Sequence, residues 1–157
     1  MPNWCENVLH VQGPRKHIRM FSTVTKPGDT CAFQFGTVIK MPEYLKNNSG
    51  WYKWNLKHIG CKWDAVNATL ILKKAQQLAY EFDTPWGPPT TGVINISTMF
   101  PDLTFRLAYY EPGMVFGGRV TIRNGIVTQD KHKTGTIGTS MYYYNARRNA
   151  CKKQQSQ

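Results

Sequence analysis

Acidic side chains are scarce in this sequence, which has nine Asp and Glu against 20 Lys and Arg and a formal net charge of +11. The imbalance is steepest from Arg119 onward, where eight basic residues accompany a single acid. A positive excess of this size indicates an anionic partner, either nucleic acid or a phosphate-bearing small molecule. For residues 146–157 a solvated basic tail is the alternative interpretation, because terminal Lys and Arg beside Gln and Ser often contact nothing.

Long apolar runs are missing as well. None approaches the roughly 18 residues needed to cross a membrane, and the N-terminus has no basic stretch followed by an apolar one. We therefore expect no membrane partner and a cytoplasmic protein. At 157 residues the chain is long enough for one domain with its own apolar core.

Metal-binding and disulfide patterns are also absent from the sequence. The four cysteines are widely spaced without a Cys-x-x-Cys pair, and the four histidines stand at unrelated spacings. This pattern argues against a zinc site and favours reduced, mostly buried thiols. The sequence therefore predicts no metal and no cofactor.

Apolar periodicity predicts a chain of mixed strands and helices. Alternation predicts strands at 7–12, 66–72, 78–82, 105–109, 118–122 and 126–129, with another extended piece at 32–41. Helical spacing predicts a helix after Pro14, a turn at 42–43 and a short helix at 51–58. The segment 91–100 stays ambiguous, because Gly92 and its β-branched neighbours lower the helix propensity. Asn124-Gly125 predicts a two-residue hairpin turn, since both positions tolerate positive φ.

Several unusual short strings follow one another in the first 123 residues. They are Met1-Pro2-Asn3-Trp4-Cys5, Gly60-Cys61-Lys62-Trp63-Asp64-Ala65, Phe82-Asp83-Thr84-Pro85-Trp86-Gly87-Pro88-Pro89, Pro101-Asp102-Leu103 and Glu111-Pro112-Gly113. Together they resemble the ferredoxin-like domain family of phage and plasmid proteins sometimes called YubB-type. The resemblance implies an α+β fold, a βαββαβ antiparallel sheet with the helices at 14–25 and 91–100 on one face. It also implies an inserted segment after the first helix and an extra C-terminal hairpin.

The expected organisation is a ferredoxin-like domain at 1–130 followed by a basic, irregular C-terminal extension at 131–157. Residues 150–157 are expected to be frayed. Because the resembling family occurs in mobile genetic elements, the resemblance places the protein in the cytoplasm of an infected or plasmid-bearing bacterium.

Catalytic patterns are not evident among the polar residues. There is no Ser/His/Asp or Cys/His arrangement with family-like context and no Walker-type phosphate loop. Structural roles are favoured for the acids, with Asp64 and Asp83 capping backbone N–H groups and Glu111 pairing an Arg. We expect a binding protein rather than an enzyme, although a pair of acids that holds a metal or acts as acid and base stays open.

Aromatic and basic residues are the candidates for a binding site. Trp and Tyr offer a stacking plane with a polar handle, and Arg offers a donor fork for phosphate. Lys62-Trp63-Asp64 combines a cation, a plane and an acceptor in one short segment. The predicted ligand-binding residues are Trp51, Trp54, Lys62, Trp63, Asp64, Trp86, Arg106, Tyr110, Glu111, Arg119 and Arg123.

Three functions are compatible with these features. The favoured hypothesis is a phage or mobile-element sponge, an anti-defence protein that counters host immunity by sequestering an anionic nucleotide-derived signal without catalysis. The alternatives are a nucleic-acid-binding protein that uses Arg119, Arg123 and the basic tail, and an inhibitor that blocks a host defence protein. A homodimer is the default oligomeric state for so small a binder.

Overall fold

One antiparallel sheet organises the protein, whose computed structural model describes residues 1–135 and 138–156. The strands are β1 (Trp4–Gln12), β2 (Val66–Lys74), β3 (Gln77–Pro85), β4 (Thr104–Glu111), β5 (Phe116–Arg123) and β6 (Ile126–Thr134). The helices are α1 (Arg15–Val24), α2 (Glu43–Lys46), α3 (Gly50–His58), α4 (Thr90–Met99) and α5 (Met141–Gln155). The strand order across the sheet is β2-β3-β1-β4-β5-β6.

The first four strands form the ferredoxin-like core. β1 lies at its centre and pairs with β3 on one side and β4 on the other. The chain order β1-α1-β2-β3-α4-β4 is the predicted βαββαβ arrangement, and the prediction is confirmed. The β5–β6 hairpin extends the sheet beyond β4, and its Asn124-Gly125 turn has φ of +46° and +76° as that turn type requires.

Helices α1 and α4 pack on the same face of the sheet. Side chains along each strand alternate between the two faces, and the apolar side chains on this face form the main core with the two helices. The side chains of Leu9 and Val11 on β1 are fully buried in the main core, which also contains Ile18 and Phe21 of α1. The Phe21 ring meets the Phe105 ring edge-on at 5.5 Å between centroids. Val93 and Ile96 of α4 are buried in the same core, so tertiary packing outweighs the weak helix propensity of the ambiguous segment, which is helical up to Met99.

Helix α5 covers the opposite face of the sheet, where the sequence predicted an irregular extension. It packs against β1, β2, β4 and β5, and Ala150 joins Leu72 and Ala79 in a small second core. The prediction of irregular structure is wrong for Met141–Gln155, and also for 131–134, where β6 continues. The parts of that prediction on residues 136, 137 and 157 lie outside the described residues.

The segment between α1 and β2 is the predicted insertion, but it contains no strand at 32–41. Phe33 and Phe35 are fully buried and alternate with Gln34, which imitates a strand pattern. The backbone N–H groups here bind other partners, since Gln34 donates to the Thr25 carbonyl at 3.0 Å and Phe35 donates to Asp64 Oδ1 at 2.9 Å. A short 3₁₀ turn at Phe35–Thr37 replaces the expected strand, whereas α2 and α3 lie where helical turns were predicted.

Gly117 on β5 allows the chain before α5 to cross the sheet closely. A Cβ atom at this position would lie 1.9 Å from the backbone oxygen of Thr139. The absence of a side chain at 117 therefore permits the approach that places α5 on this face.

Within residues 1–135 and 138–156, every helix is too short or too polar to span a bilayer.

Candidate functional site

A cleft of about 240 Å³ lies between α5 and the sheet face formed by β1, β4 and β5. The sheet contributes three polar side chains and the helix contributes four. These polar residues are His10, Arg106, Arg119, Tyr142, Asn145, Asn149 and Lys153. The remaining surface of the cleft is lined by Met141 and by three alanines, Ala108, Ala146 and Ala150. The small alanine side chains leave room between the helix and the sheet.

Strand register brings the three sheet residues of the cleft together. His10 on β1 is directly opposite Arg106 on β4, and Ala108 is directly opposite Arg119 on β5. Because side chains alternate between the two faces of a strand, all four point away from the α1–α4 core. On α5, Tyr142, Asn149 and the other lining residues recur at helical spacing on the side that faces the sheet.

Positive charge dominates the cleft. None of the described residues that line it is acidic. The four ion pairs found among the described residues do not involve Arg106, Arg119 or Lys153. The Arg119 guanidinium and the Lys133 ammonium each lie 5.8 Å from the centre of the Tyr142 ring. Several cations around one cleft without a lining carboxylate favour the binding of an anion there.

His10 lies in the cleft in its neutral form. Burial lowers its pKa below the ordinary 6.5, the positive charges of Lys153 and Arg106 lower it further, and a hydrogen bond to Gln77 acts in the opposite direction. Nε2 is 3.3 Å from Gln77 Oε1, which can only accept, so Nε2 donates and Nδ1 is left as an acceptor. An anion bound in the cleft would raise the pKa of His10 and favour the imidazolium form.

A polar contact beside the cleft fastens α5 to β3. The Tyr143 hydroxyl donates to Glu81 Oε1, and Arg147 Nε donates to the same oxygen at 2.7 Å. Tyr143 is buried, and burial together with the neighbouring Glu81 carboxylate raises its pKa. The phenol therefore stays protonated and keeps its donor role throughout the physiological pH range.

A second cluster, the tryptophan group, lies away from the cleft and consists of Trp4, Tyr52, Lys62 and Trp63. The Trp4 and Trp63 ring centroids are 6.4 Å apart. The Lys62 ammonium lies 4.7 Å from the Trp63 ring centre and 5.9 Å from the Tyr52 ring centre. Lys62 thus makes cation–π contacts within the protein itself.

Comparison with known proteins gives the family. A family model described as the ferredoxin-like domain in Api92-like protein matches residues 62–149, which is more than half of the chain. The chain belongs to this family. Among solved structures, the crystal structure of a protein api92 from Yersinia pseudotuberculosis is similar, with a TM-score of 0.64 and 10% sequence identity over 87% of this chain and 99% of that chain. At this identity the likeness shows the fold alone, and none of the curated proteins matches the sequence.

The Api92-like match begins at residue 62 and includes every strand and helix from β2 to most of α5. It therefore contains the cleft except for His10 on β1 and Ala150 and Lys153 at the end of α5. The ferredoxin-like architecture implied by the sequence resemblance is confirmed. The phage and plasmid origin implied by the same resemblance stays a prediction.

Two of the eleven predicted ligand-binding residues, Arg106 and Arg119, line the cleft. Tyr110 lies on the same sheet face, and its ring packs 6.4 Å from that of Tyr144 on α5. Arg123 is separate from the cleft and lines a different hollow with Arg106 and Thr104. The expectation that the basic strand faces Lys62 and Trp63 across one site receives no support from these positions.

Three predicted acids bind neighbouring N–H groups. Asp64 accepts from the backbone N–H groups of residues 35, 36 and 65, as predicted for a capping carboxylate. Burial raises the Asp64 pKa, and these hydrogen bonds act in the opposite direction. Glu111 accepts from the N–H groups of residues 113 and 114, so its predicted pairing with an Arg is wrong. Asp83 accepts from the side-chain amide of Asn67 instead of a backbone group.

The remaining predicted tryptophans occupy three different environments. Trp51 packs edge-on against Tyr52, and Trp54 lies 4.4 Å from the His58 ring and against the main core. The Trp86 backbone N–H donates to the Asn3 carbonyl at 2.8 Å, and its φ of +69° is unusual for a bulky residue. None of the three lines the cleft.

Five polar cleft residues were not predicted, and four of them belong to α5. These four are Tyr142 and the residues three, seven and eleven positions after it, Asn145, Asn149 and Lys153. This spacing is typical of one side of a helix, and the stretch contains no Pro or Gly. The fifth, His10, alternates with buried neighbours on β1, and nothing in the sequence distinguishes it. No three His, Cys, Asp or Glu side chains in the described part of the chain are arranged to hold a metal ion.

Proposed function

We propose that this protein binds an anionic nucleotide-derived molecule in the cleft under α5 and holds it without chemical change. The observation that carries the proposal is the charge of the cleft. Three cations with no ion-pair partner among the described residues converge there, and none of the lining residues is acidic. A phosphate group would accept charge-assisted hydrogen bonds from both guanidinium groups and from Lys153.

The other lining groups support a ligand with a ring as well as a phosphate. Tyr142 presents an aromatic plane beside Arg119, and Asn145 and Asn149 provide both donors and acceptors. The cleft volume of about 240 Å³ is slightly below the range of about 300–1,000 Å³ that is typical of small-molecule pockets. This size suits one nucleotide unit, and the rest of a larger ligand would extend outside.

The finer part of the proposal concerns biology. We propose that the protein comes from a phage or another mobile element and that the captured molecule is a signal of host immunity. The support is the sequence resemblance stated above together with the excess positive charge. Sequestration requires affinity and no chemistry, and the groups that line the cleft are suited to binding.

The proposal is tested by recovery of the bound molecule. The purified full chain is incubated with separate pools of cyclic dinucleotides, ADP-ribose derivatives and short oligonucleotides, washed, heat-denatured, and the released molecules are identified by mass spectrometry. We expect one nucleotide class to be released intact. Release of nothing from any pool contradicts capture, and release of a cleaved product shows an enzyme instead.

Arg119→Ala tests the location of the site. Loss of one charge-assisted hydrogen bond of about 1.5–3 kcal/mol should weaken binding roughly ten- to a hundredfold, measured by calorimetry with the recovered ligand. Arg123→Ala is the matched control, because Arg123 lies on the same strand outside the cleft. Trp63→Ala should also leave binding unchanged, since the tryptophan group is separate from the cleft. Equal losses in Arg119→Ala and Trp63→Ala would place the ligand elsewhere.

A further inference from the structure

Helix α1 displays positive charge on its exposed surface at a place where positive charge does not favour a helix. Arg15 and Lys16 lie in its first turn, Arg19 follows one turn later, and the helix contains no acid. Cations near a helix N-terminus oppose the helix dipole, and no side chain caps this end. The exposed cations of α1 therefore do not add to the stability of this helix.

Two of these cations, Arg15 and Arg19, face a groove between α1 and the turn that joins β2 to β3. The groove has a volume of about 640 Å³, and four cations line it, Arg15, Arg19, Lys73 and Lys74. A hydrogen bond of 3.1 Å from the Gly13 N–H to the Gln76 carbonyl holds the turn beside the start of α1. No acidic residue lines the groove, and none of the four cations forms an ion pair within the described part of the chain.

The groove has the chemistry of a contact with a phosphate backbone. Arg15 and Arg19 are four residues apart on the same side of α1, so the charges repeat along a helix that is about 15 Å long. No aromatic side chain lines the groove among the residues that the structure describes, whereas single-stranded nucleic acids are bound largely by base stacking on aromatic rings. The exposed apolar residues Met20 and Val24 line a neighbouring hollow that shares Arg15 and Arg19 with the groove, so binding to an anionic lipid surface is a separate outcome of the test below.

We propose that the groove between α1 and the β2–β3 turn binds the phosphate backbone of a double-stranded nucleic acid. Contacts of this kind position a protein on a duplex without reading its sequence. The proposal goes beyond the capture of a small ligand and is independent of it, because α1 and α5 lie on opposite faces of the sheet. It also differs from an electrostatic contact made by the C-terminal basic residues.

The test is fluorescence anisotropy with a labelled duplex of about 20 base pairs and the full chain, at several NaCl concentrations between about 50 and 200 mM. The variant is R15E/R19E, and K53E/K57E is the matched control, because it makes the same charge change at two exposed lysines four residues apart on α3, outside both the groove and the cleft. We expect R15E/R19E to weaken binding by about tenfold or more and to lower the salt slope by about two, with at most a small loss in the control.

Thermal unfolding followed by circular dichroism separates binding from folding. An acidic side chain at position 15, in the first turn of α1, interacts favourably with the helix dipole, so the Tm of R15E/R19E should be unchanged or raised while duplex binding falls. Three results overturn the proposal: no binding of the duplex by the wild-type protein, equal weakening in the two double variants, and stronger binding to a single strand or to vesicles of anionic lipid. Ligand capture in the α5 cleft, measured on the same R15E/R19E protein, should be unchanged.

Discussion

At the scale of single residues, His10 links the charge of the cleft to pH. Its lowered pKa means that the folded protein binds fewer protons at His10 than the unfolded chain does. The stability contributed by this residue is therefore present above the ordinary value of 6.5 and is lost as the pH falls through the lowered folded pKa. An anion beside the ring favours the protonated form and shifts the pKa in the opposite direction.

Binding of an anion to the cleft at about pH 6 should therefore be accompanied by proton uptake at His10. Sulfate is a suitable probe because it does not titrate in this range. Calorimetry in buffers with different ionisation enthalpies should detect a substantial fraction of one proton taken up by the wild-type protein, and none by His10→Gln. His17→Gln should behave like the wild type, since His17 lies beside Asp102 and outside the cleft. Absence of uptake in the wild type would separate His10 from the anion site.

The two predicted ligand-binding residues that line the cleft, Arg106 and Arg119, lie on regular strands. Arg106 and Arg119 were candidates because alternation placed them in strands, and register then brought them to one face. Asp64 was correctly interpreted as a cap, because a short acid beside an irregular segment commonly accepts backbone N–H groups. Trp63 lies outside the cleft and forms a cation–π pair with its sequence neighbour Lys62, so its role as a ligand-binding residue stays a prediction.

At the scale of elements, α5 is the helix that the sequence did not predict, whereas the strands and the other helices were predicted. The strands and the pair α1 and α4 were predictable because apolar side chains recur along them at fixed periods. Helix α5 buries only Tyr143 and Ala150, and charged and amide side chains occupy most of its other positions. Its apolar residues consequently show only a weak helical period. The sequence therefore did not predict α5, which forms one wall of the cleft.

Tyr143→Phe tests how α5 is held. The change keeps the buried ring and removes the hydroxyl that donates to Glu81, so the free energy of unfolding should fall by about 1 kcal/mol, as measured by urea denaturation. Amide hydrogen exchange should become faster in α5 and stay unchanged in β1. Tyr144→Phe is the control, because Tyr144 is exposed and its hydroxyl has no partner among the described residues. A similar effect of both substitutions would mean that the Glu81 contact does not fasten the helix.

At the scale of the whole molecule, positive charge is distributed over two faces. The cleft lies under α5, and the groove lies beside α1 on the other side of the sheet. A net charge of +11 on one small domain destabilises the compact state through self-repulsion, which salt reduces. Two anion-binding surfaces on opposite faces would allow a small ligand and a polymer to be bound at the same time.

Anions should therefore stabilise the fold in two separable ways. NaCl raises the Tm by general screening, and sodium sulfate at equal ionic strength should raise it further through the cleft. At a sulfate concentration ten times its Kd the added stabilisation is about 1.4 kcal/mol, or roughly 4 °C in Tm, measured by calorimetry. Arg119→Ala should keep the response to NaCl and lose most of the extra response to sulfate. If the extra response persists in this variant, sulfate acts through surface exclusion rather than through the cleft.

Gly117 has a consequence for the comparison of related chains. The residue neither lines the cleft nor offers a group to a ligand, yet a methyl group there would collide with the Thr139 backbone and displace the wall above the sheet. A relative that keeps Arg106 and Arg119 but has a larger residue at this position would have the two cations on the sheet, but α5 would not cover them in the same way. In a comparison of related chains, the proposed cleft is therefore better traced through this glycine together with the two arginines than through the arginines alone.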